Sequence, residues 1–177
     1  MNAVPKGPFD VREILVLETD RLRGTVIART ISRVFPTARV YTEHKTNSAA
    51  QVLAECQIDL FVVALRGFDL DVLTLLGVWA QHATPQTRLM IMTPDVNCAA
   101  MRAAASLPIA AVFDCSRGDL RELEFACRAV ASGRPYWCPA LVTAGHLAAA
   151  AVENPLAHRW PMGRSRAPGR FGPRYGE

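Results

Sequence analysis

The sequence contains no apolar run long enough to cross a lipid bilayer, which takes about 20 residues. Residues 1–10 also lack the apolar segment that a secretory signal peptide needs. Both absences predict a cytoplasmic protein that is not attached to a membrane. The length of 177 residues allows one domain with a sizeable core plus a tail. A composition that is 50% hydrophobic and 20% charged is ordinary for a globular protein.

Cysteine and histidine are both scarce, and neither shows the spacing of metal ligands. No two of the five cysteines form a C-x-x-C pair, and most lie in apolar periodic segments, so we expect reduced core residues. The four histidines are scattered and are expected to lie on the surface. The sequence therefore predicts neither a metal nor another cofactor. The cysteines are Cys56, Cys98, Cys115, Cys127 and Cys138, and the histidines are His44, His82, His146 and His158.

Most of the chain has no excess of positive charge. The net charge is +4, but residues 156–177 hold five arginines and one acid, so that the remainder carries 15 basic and 15 acidic residues. A neutral body gives no electrostatic reason for binding nucleic acid. The tail arginines, interspersed with three aromatic residues, predict at most a weak contact with single-stranded nucleic acid, and a solvated terminus is favoured. These arginines are Arg159, Arg164, Arg166, Arg170 and Arg174.

Five short apolar runs alternate with five segments of helical periodicity. This alternation predicts an α/β fold in which a parallel five-stranded sheet is covered by helices on both faces. Right-handed crossovers restrict the topology, and the flavodoxin-like strand order 2-1-3-4-5 is the natural choice. The strands are predicted over 13–17, 38–41, 60–65, 87–92 and 109–113, and the helices over 22–34, 48–56, 70–76, 94–106 and 120–133. Asn47 or Ser48 is expected to cap the second helix, and Thr93 is expected to cap the next-to-last, with Pro94 as its first helical residue.

The stretch 59–76 is the centre of this pattern. Its first part is a buried strand, residues 66–69 break the apolar run as a loop does, and leucines then recur at helical spacing. The loop lies at the carboxyl end of the strand. In open parallel sheets that edge carries the functional site.

The residues of this stretch resemble a two-component response-regulator receiver domain of the NarL/FixJ (LuxR) type. Asp59-Leu60, Leu65-Arg66 and Asp71 match the family pattern without a gap, and the similarity extends over residues 13–141. Towards its end, residues 128–133, Tyr136 and Pro139-Ala140-Leu141 look like the last part of such a receiver. The resemblance implies the same flavodoxin-like (βα)5 fold and a role in signalling by phosphorelay.

The resemblance also implies a self-phosphorylating site, and this chain lacks most of it. A working receiver uses an aspartate nucleophile, an acidic pair that holds Mg²⁺, and a lysine that pairs with the phosphoryl oxygens. The acceptor position is Ala64, the acidic pair falls on Glu18 and Thr19, and the lysine position is Cys115. These losses are consistent with one another, because a lysine without its aspartate would be a poorly paired charge. We infer a degenerate pseudo-receiver that accepts no phosphate.

The remaining residues of this vestigial acidic pocket have simpler interpretations. Thr93 matches the position of the switch threonine, but Thr-Pro-Asp is explained by helix capping alone. Glu18 is favoured as a remaining loop acid, and Asp20 lies one position away from the acidic pair. Cys115 has no neighbouring lysine or histidine in sequence, and Asp114 would raise its pKa, so a packing role is favoured.

The chain departs from the family after the receiver-like part. Residues 1–11 are expected to be a leader, 12–138 the receiver-like domain, 139–154 an additional helix, and 155–177 a disordered basic tail. No helix-turn-helix opening of the Leu-Thr-x-Arg-Glu kind follows. The helices predicted over 98–105 and 141–151 carry almost no charge, so part of their surface is expected to be exposed or paired.

Three functions fit these observations. The favoured one is a non-enzymatic signalling module that acts without phosphorylation, by dimerising or by binding a protein partner, in transcriptional regulation. The second is a response-regulator transcription factor that acts at DNA through its tail or a partner subunit. The third is a small-ligand-binding flavodoxin-like protein, which ranks last because residues 18–21 are acidic and hold no glycine for a phosphate cradle.

Overall fold

A six-stranded parallel sheet organises the part of the chain that the computed structural model describes, residues 11–66, 70–82, 87–96, 101, 107 and 109–143. The strands are β1 (Glu13–Leu17), β2 (Arg39–Glu43), β3 (Leu60–Ala64), β4 (Arg88–Thr93), β5 (Ile109–Asp114) and β6 (Tyr136–Trp137). Their order is β2-β1-β3-β4-β5-β6, which confirms the predicted order 2-1-3-4-5. The prediction of five strands missed β6, because two residues form no apolar run. Its pairing with β5 comes from tertiary contact, Ala111 with Tyr136 and Val112 with Trp137.

Five helices are described, and two of them begin with an aspartate cap. They are α1 (Arg21–Val34), α2 (Thr46–Glu55), α3 (Leu70–His82), α4 (Leu120–Ala131) and α5 (Pro139–Thr143). Asp20 caps α1, and Asp119 caps α4 by accepting a hydrogen bond from the Glu122 N–H at 2.8 Å. Gly133 lies just beyond α4 with a φ of 72°, a left-handed conformation that glycine adopts freely, so the predicted end of this helix near Gly133 is confirmed.

Two predicted helix starts were wrong. Helix α2 begins at Thr46, and Lys45 is its cap residue without a side-chain hydrogen bond, so neither Asn47 nor Ser48 caps it. These two residues lie inside the first turn, because the helix starts earlier than the apolar periodicity does. Pro94 is not helical either, and residues 94–96 form a bend and a turn. Of the residues that follow in the predicted helix, only Met101 is described, and it is helical.

The sheet buries one apolar cluster on each face. One cluster joins β1, β3 and β4 to α2 and α3, and it contains the Phe61 and Trp79 rings with centroids 6.0 Å apart. The other joins the opposite faces of the same strands to α1 and α4. Because both faces are covered, the central strands read as continuous apolar runs. Cys127 and Cys138 are buried in these clusters, as predicted, while Cys98 lies outside the described residues.

Several predictions concern parts of the chain that the structure does not describe. The 1–10 part of the leader, most of the 94–106 helix, the C-terminal helix after Thr143 and the basic tail all lie there. Within the described ranges, Leu141 of α5 is buried against the core. In those ranges, too, no helix is both long enough and apolar enough to span a membrane.

Candidate functional site: the carboxyl edge of the sheet

The residues predicted for the pocket meet at one edge of the sheet. Strands β1, β3, β4 and β5 are neighbours and parallel, so their carboxyl ends lie side by side. Ala64 pairs with Met92 at the end of β3, and Thr93 pairs with Asp114 across β4 and β5. The Ala64 side chain is a methyl group, which offers neither a nucleophile nor a metal ligand. The position where the resemblance places the phosphate acceptor thus lies at this edge and carries no reactive group.

A buried ion pair lies beside Ala64. Glu18, directly after β1, is only 2% exposed, and its Oε2 lies 3.0 Å from Nη2 of Arg66, which follows β3. The Arg66 side chain is 35% exposed, so the pair is open to solvent on one side. The second Glu18 oxygen, Oε1, accepts a hydrogen bond from the Asp20 N–H at 3.0 Å. Both oxygens of the carboxylate are therefore engaged within the protein.

The other acidic residue after β1 is used to cap a helix. The Asp20 Oδ1 accepts a hydrogen bond from the Arg23 N–H at 3.1 Å. This backbone hydrogen bond is the main reason why the pKa of Asp20 lies below its usual value, with smaller contributions from Arg23 and Arg66. Thr19, at the other acidic-pair position, is exposed and carries no charge.

Thr93 and Asp114 are both satisfied by local hydrogen bonds. The fully buried Thr93 hydroxyl accepts from the Asp95 N–H at 3.2 Å and donates to the Asp95 carbonyl oxygen at 3.0 Å. The Asp114 Oδ1 accepts from the N–H of Ser116 at 2.9 Å and from its hydroxyl at 2.6 Å. Both side chains thus hold the turns after their own strands.

Cys115 is half-buried at the position where the resemblance places a lysine. Burial is the main cause that raises the pKa of its thiol, and the negative charge of Asp114 adds to it, while Arg66 acts in the opposite direction. A thiol with a raised pKa is protonated at neutral pH and is a poor nucleophile. Its backbone N–H donates to the Thr93 carbonyl oxygen at 2.9 Å, which places the residue against β4.

Sequence reasoning missed two residues of this edge. Arg66 was noted only as part of the family pattern, although it is the positive charge of the site. His44 was expected on the surface, and this was wrong: it is half-buried, and its Nδ1 lies 2.7 Å from the Glu18 carbonyl oxygen. The side chain of His82 is not described, and His146 and His158 lie outside the described residues, as do the five tail arginines.

The arrangement does not fit the Mg²⁺ ion that the resemblance implies. A hard cation needs several oxygen ligands, and of the candidates Ala64 has none, Glu18 is paired with Arg66, and Asp20 caps α1. Over the described ranges, no three His, Cys, Asp or Glu side chains lie together as a metal site requires. The guanidinium of Arg66 instead supplies a fixed positive charge to the Glu18 carboxylate.

Comparison with known proteins identifies the fold. No protein-family model and no curated protein matches the sequence significantly. Among solved structures, the apo receiver domain of RcsB from Salmonella enterica serovar Typhimurium matches with a TM-score of 0.62 and 15% identity, over 76% of this chain and 98% of that one. A LuxR family DNA-binding response regulator from Silicibacter pomeroyi matches with a TM-score of 0.58 and 14% identity, over 73% and 98%. The signal receiver domain of an HD domain-containing protein from Pseudomonas fluorescens Pf-5 matches with a TM-score of 0.57 and 23% identity. The match covers 67% of this chain and 92% of that one. The chain therefore has the α/β, flavodoxin-like receiver fold of response regulators.

Proposed function

We propose that the protein is a receiver-like signalling module that acts without phosphorylation, through contacts with a protein partner or a second copy of itself. The observation that carries this proposal is the Glu18–Arg66 ion pair beside Ala64. In a working receiver, the metal ion and the phosphoryl group add charges to the site, and these charges change its conformation. Here the charge of the site is supplied by the chain itself, and the buried Glu18 carboxylate is already paired with Arg66.

The local hydrogen bonds support the same conclusion. The Thr93 hydroxyl is engaged with Asp95, and Asp114 is engaged with Ser116. A hydroxyl that must turn towards a phosphoryl group would first have to give up these contacts. The site is thus built to stay in one state, which fits a module whose activity is constitutive or is set elsewhere on its surface.

We expect no phosphorylation when the purified protein is incubated with acetyl phosphate or phosphoramidate and Mg²⁺. Intact-protein mass spectrometry should show no mass increase and no hydroxylamine-sensitive adduct, because Ala64 offers no nucleophile and the Glu18 and Asp20 carboxylates are engaged within the protein. A phosphorylatable receiver in the same reaction is the positive control. The variant Ala64→Asp should also stay unmodified, since Arg66 and Cys115 leave the metal and the phosphoryl oxygens without support. An acyl phosphate on any aspartate of the native chain would refute the proposal.

The exposed apolar residues of α4 support a contact surface for the partner on this helix. Phe125 is 59% exposed, and Leu120 is exposed on the same helix. The Phe125 ring packs edge-on against Tyr136 of β6, with centroids 6.0 Å apart, so it is held in place rather than free. Aromatic residues are enriched in the buried core of protein interfaces, which supports a contact at this ring. We therefore place the contact on the α4 and β6 side of the domain.

Sedimentation velocity across a concentration series should show reversible dimerisation that Phe125→Asp weakens by at least about tenfold in dissociation constant. The matched control is Val78→Asp, because Val78 is similarly exposed but lies on α3. A truncation after Thr143 retains the buried Leu141 and tests whether the following residues add to the contact. A native chain that stays monomeric throughout, or a loss of dimer equal in both variants, would contradict this placement.

A transcriptional setting in the cytoplasm is part of the proposal. Its support is that the solved neighbours include a LuxR family DNA-binding response regulator and the RcsB–DNA complex, although this chain covers only 66% of the latter. The residues after the receiver-like part show no helix-turn-helix opening of the Leu-Thr-x-Arg-Glu kind, and we favour action through a partner over direct binding of DNA.

A further inference from the structure

A groove runs along the outer edge of the sheet, between α1 and the edge strand β2. Its volume is about 550 Å³, which lies within the usual range for small-molecule sites. Its lining includes Arg29 and Arg33 from α1, and Val40, Thr42 and His44 from β2 and the residue after it. The groove shares His44 with the carboxyl edge and is not used by the function proposed above.

The charge along this groove is of one sign. Helix α1 contains four arginines and no acidic residue. Arg23 pairs with Asp20, but in the described part of the chain neither Arg29 nor Arg33 has an ion-pair partner. These two arginines lie four residues apart, so their side chains project from the same face, with Cβ atoms about 6 Å apart. Two neighbouring guanidinium groups without an acid form a site for an anion that carries several oxygens.

Two of the hydroxyl groups in the groove are already engaged. Thr25 donates to the Arg21 carbonyl oxygen at 2.9 Å, and Ser32 donates to the Ala28 carbonyl oxygen at 2.9 Å. The positive charge that binds an anion therefore comes from the two guanidinium groups. This favours a ligand with a phosphate group, whose oxygens match the guanidinium fork in bidentate geometry.

The floor of the groove is apolar. Val40 packs against the cluster under α1, and Ala28 and the Thr42 methyl group lie beside it. At one end α1 approaches β2 so closely that a Cβ on Gly24 would lie 3.1 Å from His44 Cε1 and 3.3 Å from Thr42 Cγ2. This close approach borders the groove, and the apolar floor offers a contact to an apolar group that a bare ion does not carry.

We propose that this groove binds a phosphate-bearing small molecule of mononucleotide size. Arg29 and Arg33 bind its phosphate oxygens, and its base and sugar lie on the floor formed by Ala28, Val40 and Thr42. The contacts are non-covalent and need no metal.

The groove is connected to the carboxyl edge through His44. The Glu18 carbonyl oxygen accepts a hydrogen bond from His44, and this carbonyl requires that Nδ1 carry the proton. The Glu18 carboxylate in turn pairs with Arg66. His44 therefore joins the groove to the carboxyl edge, and a ligand that contacts its imidazole is the input that we infer for this module in place of a phosphoryl group.

Isothermal titration of the full chain with ADP, pyrophosphate and adenosine tests this proposal. ADP should bind saturably with one molecule per chain, pyrophosphate should bind more weakly, and adenosine should not bind measurably. Arg29→Ala and Arg33→Ala should each weaken ADP binding by at least about tenfold, because each removes a charge-assisted contact. Both arginines are exposed and lack ion pairs, so the variants should fold normally, and a circular-dichroism melt verifies this.

The matched control is Arg128→Ala, which removes an exposed arginine from the last turn of α4. It should leave ADP binding unchanged. Equal weakening by all three variants would show a general charge effect and overturn the site. Three other results would also overturn it: no saturable ADP binding, pyrophosphate binding as tightly as ADP, or tight binding of a single-stranded oligonucleotide without ADP binding. The phosphorylation assay is independent of all of these outcomes.

Discussion

Arg66→Met is expected to lower the free energy of unfolding by about 3 kcal/mol, because it leaves the Glu18 carboxylate buried without its partner. Glu18 is 2% exposed, and a buried carboxylate cannot recover the lost contact from water. The partial exposure of Arg66 keeps the expected loss at the lower end for buried pairs. Urea denaturation followed by circular dichroism measures the change, which is large against a total stability of about 5–15 kcal/mol.

The double variant Glu18→Gln/Arg66→Met separates lost charge pairing from lost packing. Glutamine keeps an oxygen that accepts from the Asp20 N–H, and it carries no charge that needs a partner. We expect the double variant to recover most of the stability that Arg66→Met loses. The control Arg23→Met breaks an exposed pair with a distance of 3.8 Å and should change stability by less than about 1 kcal/mol. If Arg66→Met were no more destabilising than this control, the ion pair would not be a structural feature of the site.

This ion pair also shows where sequence reasoning stopped. The alternation of apolar runs and helical segments predicted the sheet and its order, because strands covered on both faces need continuous apolar residues. The resemblance to receiver domains singled out Ala64, and the structure places it at the carboxyl end of β3. Glu18 and Arg66 are 48 residues apart and meet only because β1 and β3 are neighbours. With the strand order already predicted, two opposite charges directly after adjacent strands were a signal for the pair.

The partial burial of His44 could not be predicted from the sequence, for a different reason. A histidine after a short edge strand looks like a surface residue, since periodicity gives no sign that it faces inwards. Its burial depends on Gly24, where the missing side chain lets α1 approach β2. Close approach between a helix and a strand depends on both elements together, so the sequence of either one alone does not predict it. The β6 strand was missed in the same way, because its two residues are defined by their pairing with β5.

Gly118→Ala is expected to destabilise the protein by about 3 kcal/mol, because the loop after β5 has no room for a methyl group. A Cβ on Gly118 would lie 2.6 Å from two ring atoms of Phe113 and 2.8 Å from the Asp114 carbonyl oxygen. The Phe113 ring is buried in the core, and Asp114 is held by Ser116, so neither neighbour can easily move away. Part of the strain should therefore reach the turn that carries Cys115.

Gly77→Ala in α3 is the matched control. A Cβ at this position meets nothing within 4 Å, so the substitution should stabilise the helix by about 0.5–1 kcal/mol. Thermal and urea unfolding of both variants measure the difference, and a Gly118→Ala protein as stable as the native one would show that this loop is not closely packed.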